Sequence, residues 1–219
     1  MSLIDRFLRA KHWQLFFLCF VTIVVAYIGF FWALLESLSE QTSFGRWDIQ
    51  WAFGFFFSAI ALVIMIILGW LWSIAVGLHH LLPSGMNLSL KRFKLVFCFP
   101  VFHFLGSALL LFHSMSMLNY NESPEASETI TMVLLFIGMF ISNIIAIAAL
   151  WYCHYFVAKT IKSIQLKKEA VFSDYAGEFF LLLFYPVALW VIQPQVNRIV
   201  ASSDMYSAES SDTISDSSK

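Results

Sequence analysis

The chain has 219 residues, of which 60% are hydrophobic, 18% aromatic and only 12% charged; 13 Lys+Arg stand against 14 Asp+Glu, for a formal net charge of −1. A soluble domain runs about 45–50% apolar and about 25% charged, so this composition leaves no room for a sizeable soluble domain, and the scattered bases make no face for nucleic acid. With a mean hydropathy of +0.77, the chain reads as an all-α, polytopic integral membrane protein.

Residues 1–12 carry Arg6, Arg9 and Lys11 against Asp5. Residues 13–35 then run without a charge, long enough to span a bilayer and too long for a signal-peptide core, so an uncleaved first helix is expected there. A polar loop with Glu36, Glu40, Arg46 and Asp48 follows. The second helix is expected over about 51–78, ended by a turn at His79, His80, Pro83, Ser84 and Gly85. Lys91, Arg92 and Lys94 lead into a third helix over about 95–118, with Pro100 in its first turns, where proline is best tolerated. After the acidic loop with Glu122, Glu125 and Glu128, a fourth helix is expected over about 129–158. The membrane domain extends to residue 200.

The apolar run 179–192 is different. At about 1.5 Å per residue it reaches roughly 21 Å, short of the ~30 Å hydrocarbon core, and Pro186 sits in its middle. Asp174 and Glu178 precede it, and Gln193, Gln195, Asn197 and Arg198 follow it. It reads as a half-length, Pro-kinked, re-entrant or interfacial helix. The rival reading starts the helix near Val171 and crosses the membrane with Asp174 and Glu178 buried. Residues 201–219, rich in Ser and Asp, are expected to be disordered.

Orientation follows from the bases. Ten of the 13 Lys+Arg lie in segments 1–12, 79–94 and 159–178, and the two intervening loops hold only Arg46. The positive-inside rule puts those three segments, and both termini, in the cytoplasm. Trp13, Trp70, Trp72 and Trp151 then fall toward the inner interface, and Trp32, Trp47 and Trp51 toward the outer one. Lys159, Lys162, Lys167 and Lys168 would meet anionic headgroups of the lipid bilayer.

Close helix approach in lipid depends on small residues. Gly29 and Ala33, then Gly69, Ser73 and Gly77, then Gly138, Ser142 and Ala146 each lie four apart and form ridges on one face. These are candidate internal seams or contacts with a second copy. A repeat of the two hairpins is suggested by Lys11, Leu15 and Phe17 against Lys91, Leu95 and Phe97.

Chemistry is sparse. No Asp, Glu, Lys or Arg lies inside the four expected spans, which counts against a carboxylate-driven transporter, although Asp174 and Glu178 stay available beside the half-length run. Asn143 is the deepest strongly polar group and is expected to hydrogen-bond across a helix interface. A metal or haem site would draw on His103, Cys153 and His154, with Cys19 and Cys98 at similar depth, but no two form an i,i+4 ligand pair. Neutral buried histidines and cysteines are ordinary, so no metal and no cofactor is expected. The common hydrolase, metalloprotease and nucleotide-binding motifs are absent.

The stretches AKHWQLFF at 10–17 and YFVAKTIKSIQLKKEAVFSDYAGEFFLLLFYPVALWVIQPQVNRI at 155–199, with LLPSGMNLSLKRFK at 81–94 more loosely, resemble a family of small polytopic membrane proteins of Bacteroidota with no assigned activity. The resemblance implies a bacterial inner membrane and no mechanism. The leading functional class is a non-enzymatic membrane protein acting through helix packing with itself or a membrane partner. The alternatives are a small transporter or pore built on the two hairpins, and an intramembrane enzyme or cofactor carrier using the His/Cys cluster.

Overall fold

In a membrane, backbone groups must be paired within the chain, which favours helices. The computed structural model describes residues 2–38, 46–86, 88–117 and 126–216. Among these the chain forms α1 (Leu3–Arg9), α2 (His12–Leu38), α3 (Arg46–Gly77), a 3-10 turn (His79–Leu81), α4 (Leu90–Met117), α5 (Ala126–Leu166), α6 (Phe172–Leu183) and α7 (Tyr185–Asp216), and no strand. Four segments are long and apolar enough to cross a membrane: His12–Glu36, Ala52–Leu81, Leu90–Leu110 and Val133–Leu166. The protein is an all-α polytopic membrane protein. Glu40, Glu122 and Glu125 lie outside the described residues.

Several boundaries differ from the sequence reading. Ser89 Oγ accepts from Arg92 N at 3.4 Å, so α4 starts at Leu90 and Pro100 lies inside the helix rather than in its first turns. The extension of α5 to Leu166 follows from burial of Val157, Thr160, Ile161 and Ser163. Lys167 ends it at φ 52°, a left-handed conformation that costs a residue with a Cβ about 1–2 kcal/mol. The run expected as one kinked helix is two. α6 stops where Phe184 leaves helical geometry at φ −107°, ψ 72°, and Pro186 falls in the first turn of α7, where its missing N–H costs least. Helix does begin near Val171, as the rival reading has it, but at 12 residues α6 is about 18 Å long and too short to span.

The expectation of disorder from residue 201 is corrected as well, because α7 continues to Asp216. Ser202 and Ser203 hydroxyls donate to the Ile199 and Val200 carbonyls at 2.8 Å, and Asp204 meets Arg9 of α1 at 2.8 Å. Low apolar content does not prevent helix once the chain is propagated from a packed segment.

The chain divides into two compact units. The unit of Leu18–Ile66 and Lys94–Tyr152 is built of membrane helix. Its α2 and α3 meet through aromatic rings: Phe30 lies 4.9 Å from both Phe53 and Phe56, and Tyr27 lies 5.1 Å from Phe56. The α4 and α5 segments of this unit meet at His103 and Ser142, 3.0 Å apart.

The unit of Met1–Phe17, Ile67–Phe93 and Cys153–Lys219 holds most of the fully buried side chains, among them Trp70, Phe93, Phe156, Ile161, Leu182 and Ile192. Its shortest α-helix, α1, opens with a capping box in which Asp5 N donates to Ser2 Oγ at 3.2 Å and Ser2 N donates to Asp5 Oδ2 at 2.9 Å. The Ser2 hydroxyl, donating to Asp5 Oδ2 at 2.8 Å, and then the Ser2 N–H hold the Asp5 carboxyl below its usual range. A helix this short is marginal alone and needs a bed. The bed is the Gly69-Ser73-Gly77 ridge of α3. A Cβ at Gly69 would stand 3.4 Å from the Phe7 ring, and one at Gly77 would stand 2.5 Å from Leu8 Cδ1 and 3.1 Å from Ile4 Cγ2.

The proposed hairpin repeat does not carry into environment. Leu15 and Phe97 are buried, whereas their counterparts Leu95 and Phe17 are exposed, so the matched positions face opposite ways.

Replacing Gly77 with Leu should push α1 off its bed and lower stability by about 1–3 kcal/mol, the scale of an overpacked site. Thermal melting in detergent reads this directly, and an unchanged midpoint would mean that α1 does not rest on α3.

Candidate functional site

The polar groups buried in the unit that contains α1 form the densest chemistry among the described residues. α7 turns Leu189, Ile192, Val196 and Ile199 inward, and Gln193 interrupts this apolar face while fully buried itself. A buried carboxamide without partners costs several kcal/mol. Here every position is filled. Trp70 Nε1, which can only donate, donates to Gln193 Oε1 at 2.6 Å, and this fixes the orientation of the amide. The Nε2 group then faces the Ala10, Phe7 and Leu8 carbonyls at 2.8, 3.0 and 3.3 Å, and Asn197 Oδ1 at 3.1 Å. Asn197 Nδ2 donates to Ala10 O at 3.2 Å.

Those carbonyls end α1, where a helix leaves its last acceptors unpaired. Gln193 therefore acts as a C-terminal cap supplied from the far end of the sequence, and it joins α1, α3 and α7 through one side chain.

A second, part-buried contact lies at the start of α7. His154 Nε2 and Tyr185 Oη are 2.7 Å apart, and the Tyr185 ring stands edge-on to Trp70 with centroids 6.5 Å apart. Burial first, and the nearby Cys153 second, push the Tyr185 phenol above its ordinary value of 10.0. The hydroxyl stays protonated at neutral pH and serves as a hydrogen-bonding group.

The third group ties the end of α5 to α6 and α7. Lys162 Nζ donates to Glu178 Oε1 at 2.9 Å, Lys159 Nζ to Glu169 Oε1 at 2.8 Å, Gln165 to Gln195 at 2.8 Å, and Ala170 N to the buried Ser163 hydroxyl at 3.1 Å. Two of the four lysines expected to meet headgroups thus face carboxylates, while Lys167 and Lys168 are exposed.

The other candidates fall as follows. Asp174 caps α6, its Oδ2 accepting from Val171 N at 3.0 Å. Glu178 is held by Lys162, and Arg198 is exposed. His103 faces Ser142 in one unit, whereas Cys153 and His154 are buried in the other. No group of three His, Cys, Asp or Glu that could hold a metal occurs among the described residues. Gly29 would place a Cβ 3.7 Å from Phe55, and Ala33 is buried. On α5, Ala146 is buried, Ser142 donates to Met139 O at 2.9 Å, and Gly138 is open to its surroundings. Asn143, expected at a helix interface, is exposed.

Trp70, Tyr185 and Asn197 were not expected as part of a site. The available signal was that buried Trp and Tyr take hydrogen-bond partners, but nothing in the sequence pairs Trp70 with a residue so far along the chain. Compared with protein-family models, characterised proteins and solved structures, the chain matches none.

Gln193→Leu should leave the Trp70 indole N–H and the Leu8 carbonyl without their partner and remove one donor from the Phe7 and Ala10 carbonyls, at about 1–3 kcal/mol for each group left buried and unpaired; a melting midpoint equal to that of the unmodified protein would contradict the cap. For Tyr185, the folded state holds the phenol proton more tightly than the unfolded state, so stability should decline as pH rises above the ordinary value of 10.0. Tyr185→Phe should flatten that alkaline decline, as read by melting across alkaline pH, and an equally steep decline would assign it to another group.

Proposed function

We propose that this chain is a multi-pass protein of a bacterial inner membrane that has no catalytic role of its own and acts through helix packing with itself or with another membrane protein. The observation that supports this most is where its polar groups go. Gln193, Asn197, His154, Tyr185, Ser163, Lys162 and Glu178 are all engaged in holding helices together. The outward surface of the spans is apolar, with large side chains such as Phe102, Phe140 and Leu109 exposed. A protein whose internal chemistry is spent on its own architecture, and whose free surface is lipid-exposed helix, works through that surface.

The setting rests on the base distribution and on the resemblance to Bacteroidota membrane proteins. Ten bases in three segments against one in the two loops favours both termini in the cytoplasm. In that orientation α6 and α7 form a re-entrant or interfacial pair on the cytoplasmic side, and Lys167 and Lys168 are available to anionic headgroups.

Native mass spectrometry from lipid nanodiscs, combined with in-cell cross-linking, tests the functional reading. Particles at a multiple of 25.1 kDa, or a stable complex with a second membrane protein, are expected. A strictly monomeric protein that passes solutes across proteoliposomes would move the reading to a transporter or pore. Orientation is checked separately: cysteine introduced at Glu125 should react with an impermeant thiol reagent outside intact cells and cysteine at Lys91 should not, and the reverse pattern would invert the topology.

A further inference from the structure

Among the described residues of the membrane helices, Asn143 is an outward-facing polar group whose hydrogen-bonding capacity is unmet. It lies on α5 about 15 Å by helical rise from Val133 and about 24 Å from Lys159, which places it near the middle of the apolar span Val133–Leu166. Its side chain is exposed and makes no hydrogen bond among the described residues. Hydrocarbon offers a carboxamide neither donor nor acceptor, so an exposed amide at this depth is costly unless another protein group meets it. Val133, Phe136, Phe140 and Ile147 are all exposed, and with Asn143 they follow alternating steps of three and four residues. That is the a/d spacing of a two-helix seam. The stripe is rotated by about 130° from the buried side of α5 that carries Ala146 and Ala149, so it is a separate face.

We infer that this stripe is the seam of a parallel homodimer in which Asn143 of one copy pairs with Asn143 of the other. The inference rests on the packing function proposed above and names its partner. Two properties select a second copy. A carboxamide is self-complementary, donating through Nδ2 and accepting through Oδ1, so identical residues satisfy each other across a two-fold axis. Copies inserted in the same membrane share one orientation, so an axis along the membrane normal brings the same patch of each together. A lone Asn in an otherwise apolar seam also fixes its register, because a shifted pairing leaves both amides unmet.

The test uses the full chain in liposomes, with energy transfer between labelled copies followed as lipid dilutes the protein. The unmodified protein should dimerise, Asn143→Leu should raise the dimer Kd roughly five- to tenfold, the scale of two interhelical hydrogen bonds, and Asn143→Gln should retain most of the affinity. Asn143→Leu places an apolar side chain on a lipid-facing surface, so the melting of the monomer should be unchanged. A second measurement locates the seam. In a Cys19→Ser, Cys98→Ser background, Phe140→Cys and Ile147→Cys should cross-link copies on oxidation, whereas Ile145→Cys, on the opposite side of α5, should not. A dimer indifferent to Asn143→Leu and cross-linked through Ile145→Cys would overturn the seam while leaving the packing function standing. A monomer that captures a different membrane protein through Asn143 would also overturn the seam and keep that function. A monomer with no partner would overturn both.

Discussion

One carboxamide holds together parts of the chain that are nearly its full length apart. Gln193 accepts from Trp70 and donates into the carbonyl end of α1, and it does so with no exposure to solvent. The energetics are asymmetric: a satisfied buried amide adds only modestly to stability, whereas an unsatisfied one costs the full desolvation of each group. This makes Gln193 a constraint on geometry more than a source of binding energy. If α1, α3 and α7 are not all in place, at least one buried polar group loses its partner. The glycine ridge on α3 supplies the complementary condition, since Gly69 and Gly77 let α1 lie close enough for its carbonyls to reach the amide.

The apolar architecture was legible in the sequence because it depends on local composition alone. Long uncharged runs give long helices, and all four expected spans are present. The limits of those helices were less legible. Where α4 starts depends on the Ser89 cap, and where α5 ends depends on the burial of Ile161 and Ser163, which no local pattern reveals. The break at Phe184 was anticipated as a kink because Pro186 marks it, but a proline does not say whether a helix bends or restarts. Beyond residue 200 the polar composition reads as disorder, whereas α7 runs on to Asp216 and Arg9 meets Asp204 across from α1.

The site was legible only in part, for the same reason. Gln193, Asp174, Glu178 and His154 were recognised as polar groups in unusual places. Their partners come from distant elements, and Trp70 with Gln193, or His154 with Tyr185, cannot be paired without the fold. Once paired, they read as structural chemistry. Asn143 goes the other way: the sequence places it at a helix interface, and among the described residues it faces outward. The two carboxamides are thus used in opposite ways, Gln193 consumed inside its unit and Asn143 presented outward.

The most direct test of this account is amide hydrogen exchange over residues 6–10 in lipid nanodiscs, comparing the unmodified protein with Gln193→Leu. The Arg6 and Ala10 amides bond to Ser2 O and Phe7 O at 3.1 and 3.4 Å, and a helix this short would exchange within the dead time if it stood alone. The account predicts slow exchange at these amides in the unmodified protein and fast exchange in the variant, with α3 protection retained. Equal exchange in the two proteins, slow or fast, would contradict the claim that Gln193 is what holds α1 in place.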